Sequence, residues 1–443
     1  MSQNDQLSTN RKKTLTKGLI ISGLFLLLLL PMGMIRGLIR ERQQRKMEVV
    51  SEIGSKWGLE QQIKGPVLAI HHIKENTVEY KDLDGKPHTR TETYPEVTYL
   101  IPENLSVKTR INPSVRSISI FETVIYDADL SMKGGFGDLK DRLSFLKPGS
   151  IDWEKTELYI GLSDLRGLKS DSQIKLNGRN LSFSGSGTVD ANFGSAVKTE
   201  IKTLAENGNL DFEIDFSVKG SERLSFVPLA KQNKFLATSN WSNPGFDGAF
   251  LPETHEVKKD GFSAEYSISH LNRNLPETWK KEAKQDYEQA AFGVSLLQLN
   301  DNYQKADRSA KYALLVIALT FLSFFFVELL NGLEVHPFQY VLVGVALCLF
   351  YVLLVAISEV LLFNYAYLIS SLMILGMIWL YAKSVFGAFR LSTLVTVIMT
   401  GLYTYVFSII QLEDRALLVG SLGLFCILAL TMYFSRRVDW KCI

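Results

Sequence analysis

The stretch Asp301–Glu359, DNYQKADRSAKYALLVIALTFLSFFFVELLNGLEVHPFQYVLVGVALCLFYVLLVAISE, begins as charged, water-compatible sequence and turns abruptly apolar at Tyr312. No charged residue falls between Tyr312 and Val327, and none between Pro337 and Ser358. Each run approaches or exceeds the roughly 20 apolar residues that carry a helix across a bilayer. A soluble domain has no use for two such runs in succession. The stretch therefore joins a large external domain to a membrane bundle, and the rest of the chain belongs to one side or the other.

Downstream, the apolar segments continue, at roughly 312–333, 338–358, 362–382, 391–412 and 416–435 by the length a crossing needs. Glu359 is the only charged side chain in Pro337–Ala382. As helix that span would be about 69 Å long, two crossings of a hydrocarbon core about 30 Å thick, with Glu359 at the turn. Asp301–Lys311 reads as a lead-in helix. Upstream, a basic leader with Arg11, Lys12, Lys13 and Lys17 precedes Gly18–Ile35, which has no charge. A cleaved signal peptide and a retained anchor compete here. The run exceeds a signal peptide's apolar region and leads into IRGLIRERQQRK instead of a small-residue cleavage site. The anchor is favoured, with Pro31 able to kink it.

The charge and cysteine content narrow the function classes. Across 443 residues the hydrophobic share is 47% and the net charge +2, with a mean hydropathy of +0.08. These averages blend a polar middle with an apolar end. So small a net charge gives no field for nucleic acid or other polyanions. Cys348 and Cys426 lie in apolar runs and Cys442 beside the C-terminus, so no disulfide framework is available to the middle region. An ordinary hydrophobic core must hold it. The Asn-X-Ser triplets at Asn104, Asn180 and Asn240 carry meaning only in a eukaryotic secretory path.

Between the membrane parts, Arg36–Glu60 is rich in helix formers, and Met47, Val50, Ile53 and Trp57 recur at helical steps as one apolar stripe. This predicts a membrane-proximal helix laid on the domain; a basic helix binding anionic lipid is the weaker alternative. From Gly65 to about Leu299 the rhythm becomes two. Phe212, Ile214, Phe216 and Val218 alternate with polar residues, as do Phe262, Ala264, Tyr266 and Ile268. Ile118–Tyr126 and Leu158–Leu162 read the same way, as strands with one wet face. Asp84-Gly85, Asn177-Gly178, Asn207-Gly208 and Asp260-Gly261 supply turn signals. The expectation is a sandwich-like, mainly antiparallel β domain, with a helix at Pro276–Ala291 begun by its proline.

The fold class expected is therefore membrane α-helical plus all-β. It comprises an N-terminal transmembrane helix, a large β extracytoplasmic domain and a C-terminal five-helix transmembrane bundle. Its parts are 1–39 (basic terminus and first span), 40–64 (membrane-proximal helix), 65–300 (β domain), 301–435 (lead-in helix and five spans) and 436–443 (tail). Six spans put the N-terminus, two short turns and the C-terminus on one side. That side carries Arg11, Lys12, Lys13, Lys17, Lys383, Arg390, Arg436, Arg437 and Lys441, against Arg415 in the opposite short turns. The asymmetry predicts both termini cytoplasmic and residues about 40–311 outside, in the periplasm of a bacterium. The basic flank Arg36–Lys46 runs against the rule.

Motifs for chemistry are sparse. No Walker A loop, HExxH, GxSxG or CxxC occurs. His71 and His72 point to opposite faces of a strand and cannot share a metal ion, and His88, His255 and His270 stand alone. Gly134-Gly135-Phe136-Gly137 and Gly185-Ser186-Gly187 sit among strands, where turns are the plainer meaning. Asp164 and Arg166 in GLSDLRGL could pair at a strand end. No cofactor or metal site is expected. Ionisable residues in apolar segments are functional candidates by default, which singles out Glu328, Glu334, His336 and Glu359 as a candidate intramembrane polar cluster. The bland reading puts all four at wetted interfaces; the sharper one makes Glu328 part of a proton or ion relay.

Nearly the whole chain resembles the CreD family of bacterial inner-membrane proteins. The resemblance lies in LLLLLPMGMIRGLIRER, in GPVLAI at 65–70, YLIPENL at 99–105, GLSDLRGL at 161–168 and TSNWSNPGFDGAFLPE at 238–253. It is strongest in the Asp301–Glu359 block. It implies a multi-pass inner-membrane protein expressed under a two-component regulatory pair, with phenotypes of envelope integrity that include responses to colicins and β-lactam stress. It implies no reaction and transfers no catalytic residues. The leading expectation is a non-enzymatic envelope protein whose β domain binds an envelope protein or cell-wall component, with the lipid bilayer as the other partner and no nucleic acid. A transporter or channel in the C-terminal bundle, and an extracytoplasmic enzyme, are the alternatives.

Overall fold

The computed structural model describes residues 16–81, 87–147, 149–188, 193–202, 208–296, 302–412 and 416–436. The Asp84-Gly85 turn, Asn207, the terminal cations other than Lys17 and Arg436, Arg415 and Cys442 lie outside them. The chain forms two compact units, one of Met1–Met47 with Asn300–Ile443, the other of Glu48–Leu299.

In the first unit, helix α1 (Thr16–Trp57) is 42 residues long and gives only its part up to Met47 to this unit. Pro31 has no N–H to offer the Leu27 carbonyl, and the helix is distorted at Leu28. Then come α2 (Asn302–Lys311), α3 (Ala313–Asn331), α4 (Pro337–Ser358), α5 (Phe363–Phe386), α6 (Phe389–Gln411) and α7 (Ala416–Ser435). α1 and α3 to α6 are long and apolar enough to span a membrane, and α7 carries a shorter apolar stretch, Leu417–Tyr433. The lead-in helix and the five apolar segments fall where hydropathy put them. α4 is the most buried of the spans, with 56% of its most apolar window inside the fold. α7 leaves Leu417, Leu418 and Phe425 exposed, as a helix solvated by lipid can.

The second unit has strands β1 (Gln61–Lys81), β2 (Pro87–Leu100), β3 (Asn104–Ile118), β4 (Phe121–Asp138), β5 (Glu157–Leu162), β6 (Gln173–Leu176), β7 (Arg179–Leu181), β8 (Ser184–Thr188) and β9 (Ser195–Glu200). It continues with β10 (Asn209–Ser221), β11 (Arg223–Val227), β12 (Gln232–Ser239), β13 (Pro244–Gly248), β14 (Thr254–Lys258), β15 (Gly261–Ser269), β16 (Thr278–Lys280) and β17 (Phe292–Leu296). One sheet runs β13-β17-β11-β1-β5-β9-β8 with β2 and β16 attached, the other β14-β15-β12-β3-β4-β10-β6-β7. Pairing is antiparallel except β1 with β11 and β12 with β3. Residues from both sheets, such as Leu68, Ile160 and Phe292 from the first and Val107, Met132 and Ile214 from the second, share one core.

The first sheet has a second, smaller core on its other side, built from Val67, Ala69, Tyr99, Tyr159, Phe193, Trp279 and Tyr287. Three sequence expectations change because of it or of the strand ends. Pro276–Ala291 is not an α-helix: β16 adds to β2 and a single 3-10 turn follows at Glu288–Ala290. Trp279 packs 5.6 Å from the Tyr99 ring and Tyr287 5.9 Å from Phe193, so covering an apolar sheet face outweighs helix propensity. Leu158–Leu162 is buried along both faces, so its reading as half-wet fails. Ile118–Tyr126 is not one strand: Ser119, at φ 58°, and Ile120 turn β3 into β4.

The last turns of α1 belong to this unit. The predicted stripe is rotated: Val49 and Ile53 are buried while Met47 is 61% exposed. Trp57 donates its indole N–H to the Tyr126 carbonyl at 3.3 Å and carries Lys219 over its ring at 4.2 Å.

Candidate functional site

The four ionisable residues singled out from the sequence do not form one cluster. Glu328 and Glu359 lie beyond opposite ends of α4, about 33 Å of helix apart. Glu334 is exposed in the α3–α4 turn. His336 is an exposed helix cap: its Nδ1 accepts from the Phe338 N–H at 3.2 Å while Gln339 accepts from the His336 N–H at 3.0 Å. Pro337 at the first helical position completes that start.

Glu328 is buried, 6% exposed. Its carboxylate pairs with the Lys17 ammonium and accepts from the Tyr340 hydroxyl at 2.8 Å and the Val335 N–H at 3.1 Å. Glu359 accepts from the Tyr303 hydroxyl at 3.0 Å and faces Arg42 at 3.7 Å. Between them, Arg36 donates to the Ala310 carbonyl at 3.1 Å, near the C-terminal end of α2, where a helix dipole favours a cation. At the level of Gly344 on α4, a Cβ would come within 2.2 Å of Leu28, so α1 and α4 touch nearly backbone to side chain. α1 is thus fastened to the C-terminal helices by paired charges at both ends of the span and by close packing between. Such pairing is what an intramembrane carboxylate requires. Hydropathy located the two acids; their cationic partners lie 311 and 317 positions away along the chain, where no local pattern could show them. Arg36 and Arg42, part of the flank that ran against charge asymmetry, have partners within the unit, Arg36 on the Ala310 carbonyl and the exposed Arg42 facing Glu359.

In the β unit, Asp164 and Arg166 pair as expected, with Nε and an Nη of Arg166 at 2.9 and 3.0 Å from the two carboxylate oxygens. Asp164 also accepts the Leu59 N–H at 3.2 Å, and Arg166 donates to the Ser55 carbonyl at 3.0 Å. The motif GLSDLRGL therefore latches the end of α1 to the sandwich. Burial alone would raise the Asp164 pKa, but bonds from Arg166 and Leu59 outweigh it and hold it below the usual carboxylate range. His71 and His72 diverge as predicted. His72 is buried with Nε2 2.9 Å from the Thr98 hydroxyl, and burial lowers its pKa despite the pull of Glu96. The Gly134 position is crowded by the Asn104 carbonyl, 2.1 Å from where a Cβ would stand, so these glycines serve strand approach. Among the described residues no group of three His, Cys, Asp or Glu side chains is placed to hold a metal ion.

The feature the sequence did not reveal is a groove of about 600 Å³ on the outer face of the second sheet. The first sheet is covered on both sides only around Ile63–Ile70 of β1 and along β5, its β1–β2 hairpin standing exposed, whereas the second buries one face and turns polar side chains outward from the other. Strand register sets two rows across it: Leu236, Lys108, Ser131, Asp215 and Gln173, then Thr238, Arg110, Asp129 and Ser217. Asp171 borders the second row. Period-two alternation predicted a wet face; which strands adjoin, and so which charges face one another, comes only from pairing.

An apolar α-helical bundle with a first span tied to it, and a β-sandwich inserted between span one and the rest, define a multi-pass membrane protein with a large water-facing domain. The family model described as "Inner membrane protein CreD" matches residues 13–441. The chain is also similar to the inner membrane protein CreD of Escherichia coli (strain K12), 33% identical over 420 residues, covering 94% of this chain and 92% of that one. The chain belongs to the CreD family, and its location is the inner membrane, crossed several times.

Proposed function

We propose that this protein supports envelope integrity without itself catalysing a reaction, by displaying a ligand-binding β domain on the periplasmic side of the inner membrane. Both termini are then cytoplasmic and residues about 40–311 outside. The observation that carries this reading is the groove: a wide, solvated, mixed-charge sheet face on the side of the second sheet away from the shared core. Charge asymmetry in the C-terminal turns supports the orientation. The paired states of Glu328 and Glu359 favour anchoring over ion relay, because each carboxylate already has the partners that neutralise it.

The test is photo-crosslinking in intact cells from positions 131 and 236, inside the groove, and from positions 79 and 92, on the β1–β2 hairpin. Adducts to an envelope component from the groove positions, absent from the hairpin positions, are expected. Adducts only to cytoplasmic proteins would sink the reading.

A further inference from the structure

The groove divides by charge. Lys108 and Arg110 stand two residues apart on β3 and share its outer face. Across β4 from them lie Asp215 on β10 and Asp171 beside β6. Among the described residues, Lys108, Arg110, Asp171 and Asp215 make no ion pair within 4 Å, although Lys133 acts on Asp215 and Lys169 on Asp171 at longer range. Asp129, directly opposite Arg110, is occupied by the Ser217 hydroxyl at 2.7 Å and the Asn112 amide at 3.4 Å. Ser131 separates Lys108 from Asp215 in the first row, while in the second the hydrogen-bonded Asp129 stands between Arg110 and Ser217.

The spacing has a chemical meaning. Strands lie about 4.8 Å apart, so β3 to β10 is about 10 Å and β3 to β6 about 14 Å. An extended peptide spans roughly 3.3–3.6 Å per residue, so three or four residues place a carboxylate over β3 and an ammonium over β10 and β6. The floor favours a peptide over a sugar or a base. The one aromatic residue lining the groove, Phe216, is 5% exposed and belongs to the core, so no ring is offered for stacking. Leu236 and the hydroxyls of Thr238, Ser131 and Ser217 suit small side chains and main-chain amides.

We propose that the groove binds a short zwitterionic peptide, its carboxylate held by Lys108 and Arg110 and its ammonium by Asp171 and Asp215. This rests on the reading of the β domain as a ligand-binding module. Two sources carry this chemistry, free peptides and N-acylated peptides whose ammonium sits on a side chain, and the probes below tell them apart.

The experiment uses the full chain in nanodiscs and ligand-observed NMR titration with trialanine, N-acetyl-trialanine, trialanine amide and N-acetyl-Ala-Lys-Ala. Trialanine, or the lysine peptide if the source is N-acylated, should bind about tenfold more tightly than either singly blocked trialanine. K108A/R110A should erase the preference for a free carboxylate alone, and D171N/D215N the preference for an ammonium alone. These exposed positions leave the core intact, and an unchanged melting temperature confirms folding. Equal binding of blocked and unblocked peptides, still abolished by the groove variants, overturns the zwitterion assignment while leaving a groove ligand of other chemistry. No variant-sensitive binding of any probe also overturns it, and the crosslinking above then judges the broader reading by itself.

Discussion

Glu328 has an ammonium, a phenol and a backbone N–H on one carboxylate, and that arrangement makes a specific demand on mutants. E328Q leaves Lys17 without its partner, and K17Q leaves Glu328 charged and underpaired. Each single change should destabilise the membrane unit by about 1–3 kcal/mol, while the double change K17Q/E328Q should cost less than the sum. Unfolding of the reconstituted protein measures this; strict additivity would mean that the pair does not act as one. A relay would behave differently, since E328Q would abolish flux and K17Q need not. The carboxylates were legible as costly charges in apolar sequence; their role was not, because it depends on residues from the other end of the chain.

Two groups in the β unit make stability depend on acidity. Asp164 has its folded pKa lowered, so its contribution is complete above the unfolded value of about 3.9 and fades as pH falls through the lower folded one. His72 is also lowered, so it stabilises the fold above about 6.5, the unfolded value, and that part is lost on acidification below it. Thermal melts from pH 7.5 to 5 should show a decline that H72Q flattens in part, because burial lowers the pKa of His71 as well. A D164N variant should keep its shape but melt several degrees lower at neutral pH, with a gap from wild type that narrows only as the pH falls below about 3.9, the unfolded value.

At the scale of elements, the helices were readable because lipid imposes a length and a polarity that local sequence must meet. Strands with one wet face, β10 and β15, were equally plain, as burial alternates along both. β5 hid its nature because both its faces are covered, and 276–291 misled because Trp279 and Tyr287, eight residues apart, fit a helical stripe as well as a sheet cap. Only the presence of Tyr99 and Phe193 decides between them. The α1–α4 contact yields its own prediction. Gly344→Val forces Leu28 aside and should cost about 1–3 kcal/mol, whereas Gly376→Val on α5, where a Cβ meets nothing within 4 Å, should cost far less. Comparable losses at both positions would show that helix propensity, not packing, is being measured.

For the whole molecule, the decisive property is which side of the membrane holds the sandwich. With Cys348, Cys426 and Cys442 replaced, a Lys175→Cys variant should react with a membrane-impermeant thiol reagent in intact spheroplasts. Protection there, with modification in inverted vesicles, would reverse the orientation. Membrane crossing and a β-rich middle were both visible in the sequence. The groove was not, since its charges come from strands brought together by pairing between residues as far apart as Lys108 and Asp215.

The contacts of Lys17 and Arg42 also set an order for biogenesis. The first span leaves the ribosome some three hundred residues ahead of the carboxylates that neutralise it, and the entire sandwich is made in the interval. During that time the helix must rest in the bilayer with its cations turned to headgroups. Its docking is therefore a late event, reserved for chains translated through α4, and a product truncated before Glu328 would keep a first span with neither carboxylate to claim it.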